Sequence, residues 1–377
     1  MTTENLGTII VGGSAAGLAV AACLKRLRQP FIILERAKEQ DGVGIKWRSH
    51  YDRLCLHTDR GNSSLPHFPM PSNYPKYATK DQVVAYLERY AEHFDLAPRF
   101  DHEVISVQND SSDSWCVKTN KGVFRASNIV IATGNSRVPK IPSYPGQKDF
   151  QGNIIHSSSY KNGISFRGQR VLVVGFGNSS GEIAVDLAEE GTSEVCISVR
   201  NRVNVIPRDF LGLSVVTVGQ LMNYLPPWLA DILSIPLIWL TIGNLTKYGL
   251  RMLPYGPNVQ INRDHKVPMI DVGVIRQIKN GNVHIVPGIN CFHGKTVEFV
   301  DGTSQPFDSV VFGTGYTPSV NDFLNVPLTS NTEGVPVDSG CEIIPGLYFC
   351  GFYISPRGML HEIGIEAKKI AASIAGD

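Results

Sequence analysis

The sequence predicts an α/β protein with two Rossmann-like dinucleotide-binding domains, and two glycine-rich turns in matching contexts predict it. The first turn, residues 12–17, follows a strand-like run at residues 8–11 and leads into a helix-like segment at residues 18–28. The second turn, residues 175–181, follows the apolar run 171–174 and leads into residues 182–190. Strand, glycine-rich turn and helix in this order are typical of a βαβ unit that binds a dinucleotide.

Composition describes an ordinary globular enzyme and argues against several other classes. The chain has 377 residues, of which 42% are hydrophobic and 18% charged, so we expect two domains. The net charge of +1 does not indicate a basic surface for nucleic acid or an anionic membrane. We therefore expect a small-molecule substrate. The seven cysteines show no Cys-x-x-Cys pair and no metal-ligand spacing, so we expect reduced thiols, no metal and a cytoplasmic protein. No export leader is recognised at the amino terminus.

One apolar stretch, residues 232–245, is considered as a membrane segment. Pro236 interrupts it, Asp231 precedes it, and it is shorter than the roughly 20 residues that a span requires. We therefore expect no membrane span here, and a buried helix or an apolar lid rather than a contact with a membrane surface.

The first turn has the residues that a pyrophosphate site needs. Gly12 permits a tight turn, and Gly17 lets the helix pack closely on the strand, so that the helix amino terminus can face an anion. Ser14 stands where a second glycine is usual, and its hydroxyl can donate to a phosphate oxygen. Glu35 ends the next strand, about 20 residues further on, where a carboxylate accepts ribose hydroxyls. The cofactor-binding residues predicted in this unit are Gly12, Gly13, Ser14, Ala15, Ala16, Gly17 and Glu35.

The second turn differs in charge from the first. Arg200 ends its second strand at the place of Glu35, and a guanidinium pairs with a 2′-phosphate that a carboxylate would repel. The sequence therefore favours NADPH over NADH, and Arg202 can share this role. Ser180 replaces the third glycine, so we expect slightly looser packing of the helix on the strand. The residues assigned to NADPH here are Gly175, Gly177, Asn178, Ser179, Ser180, Arg200 and Arg202.

Short strands on both sides of the second turn indicate that one domain is split. Residues 103–107, 115–119 and 123–126 alternate as in a meander, before an apolar strand at 128–132 that Thr133 and Gly134 close. Short strands return after residue 285, and the chain closes with a strand at 347–351 and a helix at 365–375. We expect a first domain made of residues 1–160 and 285–377, with residues 161–284 inserted between its parts.

The segment between the turns carries the most specific motif. Phe150, Gly152, His156, Tyr160 and Lys161 match every fixed position of the fingerprint F-x-G-x-x-x-H-x-x-x-Y-K. The chain therefore resembles the class B flavin-containing monooxygenases. Its Tyr-Lys ending differs from the Trp-Pro or Trp-Asp ending of Baeyer–Villiger relatives. Within the group it is most similar to the YUCCA-type enzymes, at residues 33–36, 51–54, 166–168, 205–208, 247–250, 267–273 and 286–289.

The resemblance implies FAD on the first unit and NADPH on the second, hence an NADPH domain inserted into a split FAD domain. It also implies a C4a-(hydro)peroxyflavin that transfers one oxygen atom to a small organic substrate. In YUCCA-like enzymes the reaction is oxidative decarboxylation of indole-3-pyruvate. The alternatives left open are N- or S-oxygenation and an FAD/NADPH reductase without a cysteine pair.

The resemblance also suggests individual roles. Trp47, with Lys46 before it, matches the position that covers the flavin, and His57 stands where animal-type relatives have an asparagine near flavin and nicotinamide. Arg208 is a hypothesis for binding a substrate carboxylate. The candidate catalytic residues are His57, Asn178 and Arg208, and the further cofactor-binding candidates are Arg36, Lys46, Trp47, Val104, Thr133, Gly134 and Gly351. Residues 62–64 and 358–364 depart from the family pattern, which leaves the substrate open.

Overall fold

The computed structural model describes residues 5–111, 114–222, 224–264, 266–326, 338–355 and 357–376. The chain forms two compact units. The first unit contains Met1–Ser49, Thr58–Val138 and Tyr316–Asp377, and the second contains His50–His57 and Pro139–Gly315. The second unit is thus inserted in the sequence of the first.

Helices and strands occur in both units along the described residues. In chain order, the α-helices are α1 Ala15–Arg26, α2 Ile45–Ser49, α3 Lys80–His93, α4 Asn178–Glu189, α5 Val215–Met222, α6 Pro227–Ile242, α7 Pro257–Asp264, α8 Val274–Lys279 and α9 Met359–Ala375. The strands of the first half are β1 Asn5–Val11, β2 Phe31–Leu34, β3 Val104–Ser111, β4 Ser114–Thr119, β5 Gly122–Ile131, β6 Val138–Pro139, β7 Asn153–His156, β8 Arg170–Val174 and β9 Glu194–Ser198. Those of the second half are β10 Val205–Pro207, β11 Asp209–Phe210, β12 Leu213–Ser214, β13 Met269–Asp271, β14 His284–Val286, β15 Ile289–His293, β16 Thr296–Phe299, β17 Ser304–Pro306, β18 Ser309–Phe312, β19 Tyr316–Thr317, β20 Glu342–Ile344 and β21 Leu347–Phe349.

The first unit is built on a sheet in the order β2-β1-β5-β21-β20, from which β3 and β4 continue as an antiparallel meander beside β5. β1, β2, β5 and β21 run parallel, so their carboxyl ends share one edge. Both faces of these strands are apolar, as in Ile9 and Ile10, which are fully buried. α1 is buried from Ala15 to Leu24 and lies against α9.

The second unit is built on a parallel sheet of five strands in the order β14-β9-β8-β18-β7. α4 follows β8 and packs beside α8. The antiparallel strands β15, β16 and β17 form a separate small sheet. Both units therefore have the strand, turn, helix and strand order that the sequence predicts, and the α/β fold class with two Rossmann-like domains is confirmed.

In both glycine-rich turns the helix that follows comes close to backbone atoms, but a different residue stands at the close approach in each turn. A Cβ at Gly17 would lie 1.9 Å from the carbonyl oxygen of Gly12, so no side chain fits at this position. Ser180 occupies the corresponding place in the second turn, is fully buried, and donates a 3.0 Å hydrogen bond to the carbonyl oxygen of Gly313. The looser packing expected at Ser180 stays a prediction, and the Ser180 hydroxyl hydrogen-bonds α4 to the end of β18.

The boundaries between the two units differ from those predicted from the sequence, which were residues 160 and 284. β18 pairs in parallel with β7 on one side and β8 on the other, so β7 and β18 belong to the sheet of the second unit. β14 joins the same sheet through β9. The chain changes unit at residues 138/139 and 315/316, and also around the short segment His50–His57. The cofactor assigned to each segment stays a prediction.

The apolar stretch after Asp231 forms a helix, but the helix is not buried. In α6, Ile232, Trp239 and Leu240 are 59%, 67% and 76% exposed. Only its narrow face, with Ala230 and Ile242, is covered, because α6 packs chiefly on α7 and β10. The expectation of a buried helix is therefore wrong, and the alternative expectation of an apolar lid stays a prediction. Among the helices of the described residues, none has both the length and the apolar character needed to cross a membrane.

A reciprocal exchange tests the packing of the two turns. Gly17→Ser should lower the free energy of unfolding by more than about 3 kcal/mol, since the new side chain overlaps a backbone oxygen. Ser180→Gly should lower it by about 1–2 kcal/mol, because the bond to Gly313 is lost and a helical glycine is added. Urea unfolding followed by circular dichroism measures both. A Ser180→Gly protein more stable than the parent would contradict this account.

Candidate functional site

Glu35 is fixed at the edge of the first unit by backbone amides. Its Oε2 accepts a hydrogen bond from Gly13 N at 2.7 Å, and its Oε1 accepts one from Ala37 N at 2.9 Å. A Cβ at Gly13 would lie 3.1 Å from the Cβ of Glu35, so a larger residue would press on this side chain. The carboxylate is buried and held beside the turn, where a ribose hydroxyl is bound in Rossmann domains.

The residues at the end of the first turn and at the start of α1 are suited to binding an anion. Ser14 precedes α1 in extended conformation, and its side chain makes no capping hydrogen bond to the helix. The amino terminus of α1, with its positive dipole end, therefore adjoins a hydroxyl that is not used for capping. Ala15 and Ala16 are buried in the first turn of α1. These residues fit a pyrophosphate.

Two buried polar atoms at the end of β5 also fit a bound group. Thr133 Oγ1 and Asn135 Oδ1 are buried and have no hydrogen-bond partner among the described residues. Gly134, between them, has positive φ, and its Cβ position lies 3.9 Å from the carbonyl oxygen of Gly351. The predicted cofactor residues at the ends of β5 and β21 therefore lie together. Buried polar atoms without partners cost free energy, which a polar ligand would recover.

Sequence reasoning missed Glu366, which supports Gly351. The Oε2 of Glu366 accepts a 2.6 Å hydrogen bond from Gly351 N. Burial raises the pKa of this carboxyl. An acidic residue at a buried position of the apolar helix α9 is the signal that could have found it.

Lys46 and Arg36 place positive charge in the first unit. Lys46 Nζ lies 4.3 Å above the ring of Tyr316. Burial, and the charge of Arg36, lower the pKa of Lys46 to about 8. Trp47, half-buried in α2, donates its backbone N–H to Gly44 O at 2.8 Å. An anionic ligand near Lys46 would stabilise its charged form.

Val104 is the cofactor candidate that stands on the meander. It begins β3, and its side chain packs on the apolar core of the first unit. Two residues earlier, the backbone N–H of His102 donates to the carbonyl oxygen of Glu35 at 2.9 Å. Val104 is thus near the end of β2, and its contact with a cofactor stays a prediction.

In the second turn, Gly177 leaves open space. A Cβ built on Gly177 meets no atom within 4 Å, whereas one on Gly175 would lie 2.9 Å from Gly313 O. Ser179 lies inside α4 and is not its cap, since Gly177 holds that position. The side chain of Asn178 has a structural partner, because its Oδ1 accepts from Ile270 N at 2.8 Å.

The two candidate arginines after β9 differ in their surroundings. Arg202 Nη1 donates to the carbonyl oxygen of Met252 at 3.0 Å. Arg200 has an exposed side chain, and its own carbonyl accepts a 2.7 Å hydrogen bond from Arg251 Nη2. A Cβ at Gly288 would lie 3.4 Å from the Arg200 Cβ, so the glycine leaves room beside it.

His57 meets a buried acid that the sequence did not reveal. His57 Nε2 lies 2.6 Å from Glu182 Oε1, and Glu182 is only 3% exposed. Glu182 stands one turn into α4, next to the second glycine-rich turn. Burial and the charge of Glu182 raise the pKa of the Cys55 thiol, while the charge of Arg208 acts on it in the opposite direction. The structure therefore brings His57, Glu182, Cys55 and Arg208 into one region of the second unit.

The linker fingerprint has a positioning role within the second unit. Tyr160 OH donates to Asp186 Oδ2 at 2.7 Å, and the same oxygen accepts from Gly163 N at 2.8 Å. His156 Nε2 lies 3.0 Å from the carbonyl oxygen of Gly315. Lys161 O accepts from Asp52 N at 2.8 Å. These bonds join the linker to α4 and to the end of β18, and none of them requires proton transfer.

Known proteins resemble this chain over nearly its whole length. The profile of the flavin-binding monooxygenase-like family matches residues 8–335. The probable indole-3-pyruvate monooxygenase YUCCA1 of Arabidopsis thaliana is 40% identical, with 98% of this chain and 89% of that protein covered. The indole-3-pyruvate monooxygenase YUCCA1 of Oryza sativa subsp. japonica is 37% identical, over 94% and 88% of the two chains.

Solved structures share the fold at lower identity. A flavin-containing monooxygenase from Stenotrophomonas maltophilia superposes with a TM-score of 0.75 at 21% identity, with 99% of each chain covered. A cyclohexanone monooxygenase gives 0.76 at 18% identity, over 99% of this chain and 88% of that one. The bacillithiol disulfide reductase of Staphylococcus aureus gives 0.70 at 16% identity, over 99% of each. Fold alone therefore does not separate oxygenases from reductases.

A double-mutant cycle tests the His57–Glu182 contact. We expect a coupling of about 1–3 kcal/mol between His57→Ala and Glu182→Ala in urea unfolding, because Glu182 is buried and loses its partner. The exposed ion pair of Lys25 and Asp95, at 2.9 Å, is the matched control and should couple far less. Equal coupling in the two cycles would show that burial adds nothing to the contact.

Proposed function

Because the chain belongs to the flavin-binding monooxygenase-like family and is a monooxygenase that uses FAD and NADPH, we propose that its substrate is a 2-oxo acid of the indole-3-pyruvate type. The observation that carries this proposal is 37–40% identity, across at least 94% of the chain, to enzymes named for indole-3-pyruvate. Lower similarity to enzymes of other substrates extends to the fold only.

The proposed reaction is an oxidative decarboxylation. The 2-oxo acid, dioxygen, NADPH and a proton give the acid shortened by one carbon, carbon dioxide, water and NADP⁺. One oxygen atom enters the new carboxylate and the other leaves as water. When bound, FAD supplies the chemistry that accepts the hydride and activates dioxygen. The protein residues bind, orient and exclude water.

We propose that the first unit holds FAD. Glu35 would accept the ribose hydroxyls, and the amino terminus of α1 with Ser14 would bind the pyrophosphate. The unpartnered oxygens of Thr133 and Asn135 would gain a polar partner. The positive charges of Lys46 and Arg36 would offset the negative charge of the cofactor.

We propose that the second unit holds NADPH. The open space at Gly177 would admit a phosphate close to the backbone. The exposed guanidinium of Arg200 would pair with the 2′-phosphate, and the contact of Arg202 with Met252 favours a supporting role.

We also propose roles for His57 and Arg208 toward the substrate. Glu182 holds the His57 imidazole in one orientation, so that its other nitrogen, Nδ1, can hydrogen-bond a reacting group. Arg208, half-exposed after β10, would bind the substrate carboxylate. Asn178 would act mainly by fixing α4 against β13.

A cytoplasmic location is part of the proposal. The seven cysteines are free, and three of them, Cys23, Cys196 and Cys350, are buried. Free thiols of this number are typical of a reducing compartment.

Product analysis with isotopic oxygen tests the proposed substrate. FAD-loaded protein, NADPH and ¹⁸O₂ should convert indole-3-pyruvate to indole-3-acetate carrying one ¹⁸O atom, as seen by mass spectrometry. Phenylpyruvate, a tertiary amine and a thioether are run in parallel as substrates of different chemistry. An oxygenated amine or sulfide, without any decarboxylated product, would show that N- or S-oxygenation is the activity. NADPH oxidation that yields only peroxide with every compound would contradict a monooxygenase.

Substitution of Arg200 tests the choice of nicotinamide. Arg200→Ala should raise the KM for NADPH about 10–100-fold and leave the KM for NADH nearly unchanged, because only NADPH carries the 2′-phosphate. Arg202→Ala is made for comparison, and because the Arg202 side chain is bonded to Met252 O, its supporting role should be worth less than about threefold in the KM for NADPH. The same loss with both nucleotides would assign Arg200 to the fold and not to the phosphate.

A further inference from the structure

A surface hairpin in the second unit places three metal-binding residue types on one face. β15 and β16 are antiparallel, and Cys291 lies directly opposite Glu298. Since successive side chains of a strand point to opposite faces, Cys291 and His293 share a face while Phe292 is buried behind them. The register therefore adds a carboxylate from β16 to a thiol and an imidazole from β15.

The distances suit a single small cation. Cys291 Sγ lies 3.1 Å from His293 Nε2, and His293 Nε2 lies 3.8 Å from Glu298 Oε2. One donor atom from each of the three residues lies within 4.8 Å of the others. In tetrahedral Zn²⁺ sites with bonds of about 2.0–2.3 Å, donor atoms are separated by about 3.4–3.6 Å. Small side-chain rotations would bring the three atoms to these separations.

The hairpin holds its ligands on a firm base. The ring of Phe292 packs against Phe150 at 5.3 Å and Tyr144 at 6.0 Å, so the strand that carries Cys291 and His293 is anchored from behind. Asn290 Nδ2 donates to Glu298 Oε1 at 2.7 Å, which leaves Oε2 on the side of the histidine. Residues that orient a ligand in this way raise metal affinity.

We propose that Cys291, His293 and Glu298 bind a divalent transition metal ion, with Zn²⁺ as the best match. Thiolate, imidazole and carboxylate are all good ligands of Zn²⁺, and water would complete a tetrahedral site at the exposed side. On binding, the thiol proton passes to solvent and a metal–sulfur bond forms, without any change of redox state. Cysteine spacing along the sequence predicts no metal, because the third ligand comes from the neighbouring strand.

Metal titration tests this site. Tag-free, FAD-loaded protein in chelator-treated buffer should bind one Zn²⁺ per chain in competition with a chromophoric chelator. Co²⁺ should give a thiolate-to-metal absorption band that Zn²⁺ removes. Cys291→Ser should weaken Zn²⁺ binding about tenfold or more and abolish the band. His293→Gln should weaken Zn²⁺ binding to a similar extent, but its remaining thiolate should still give the band at higher Co²⁺ concentration. Glu298→Gln should weaken it less, since an amide oxygen remains.

An exposed cysteine elsewhere provides the matched control. Cys341 lies in the first unit and is exposed, so Cys341→Ser should leave both Zn²⁺ affinity and the Co²⁺ band unchanged. Zn²⁺ should also slow the alkylation of Cys291 by iodoacetamide, measured by peptide mass spectrometry, while Cys341 reacts at its former rate. Zn²⁺ affinity that is unchanged in Cys291→Ser, or no binding by the parent, would overturn the proposal. Neither the metal titration nor the alkylation rate depends on the enzyme's substrate.

Discussion

The fold of both units depends on how closely a helix can approach the end of a strand. In the first unit, a backbone oxygen and a helix backbone nearly touch, and only glycine at position 17 allows this. In the second unit, a small polar side chain fills the same place and bonds across to the next strand. This approach leaves the helix amino terminus facing outward from the strand edge. The proposed contacts of both turns with the phosphates of a dinucleotide depend on this approach.

Local sequence was enough to predict the turns and their charged partners. Gly12, Gly17 and Glu35 act within one βαβ unit, so short-range spacing fixes their relation. Arg200 likewise follows β9 closely, and its role toward a phosphate stays a prediction. These residues lie where their spacing predicts, because strand, helix and strand in such a unit have nearly constant lengths.

Partners that come from distant segments could not be predicted in this way. Glu182 meets a histidine 125 positions earlier in the chain, and Glu366 supports a glycine 15 positions before it. Nor does the sequence show that β18 lies between β7 and β8, which is why the domain boundaries differ. The exposure of α6 could not be predicted for the same reason, because an apolar sequence does not show how much of the helix surface is covered by neighbouring elements. The one available signal was chemical, namely an acidic residue on the buried face of α9.

Helix α4 connects the second glycine-rich turn with His57 and with the linker. Its first turn borders the open backbone at Gly177, and the buried carboxylate of Glu182 is five residues further along the same rigid rod, an axial distance of about 7–8 Å. Near the carboxyl end of α4, Asp186 accepts a hydrogen bond from Tyr160 of the linker. A small tilt of this helix when its first turn is filled would therefore be passed on to the imidazole of His57. Binding at the first turn and the orientation of His57 would then be linked through Glu182.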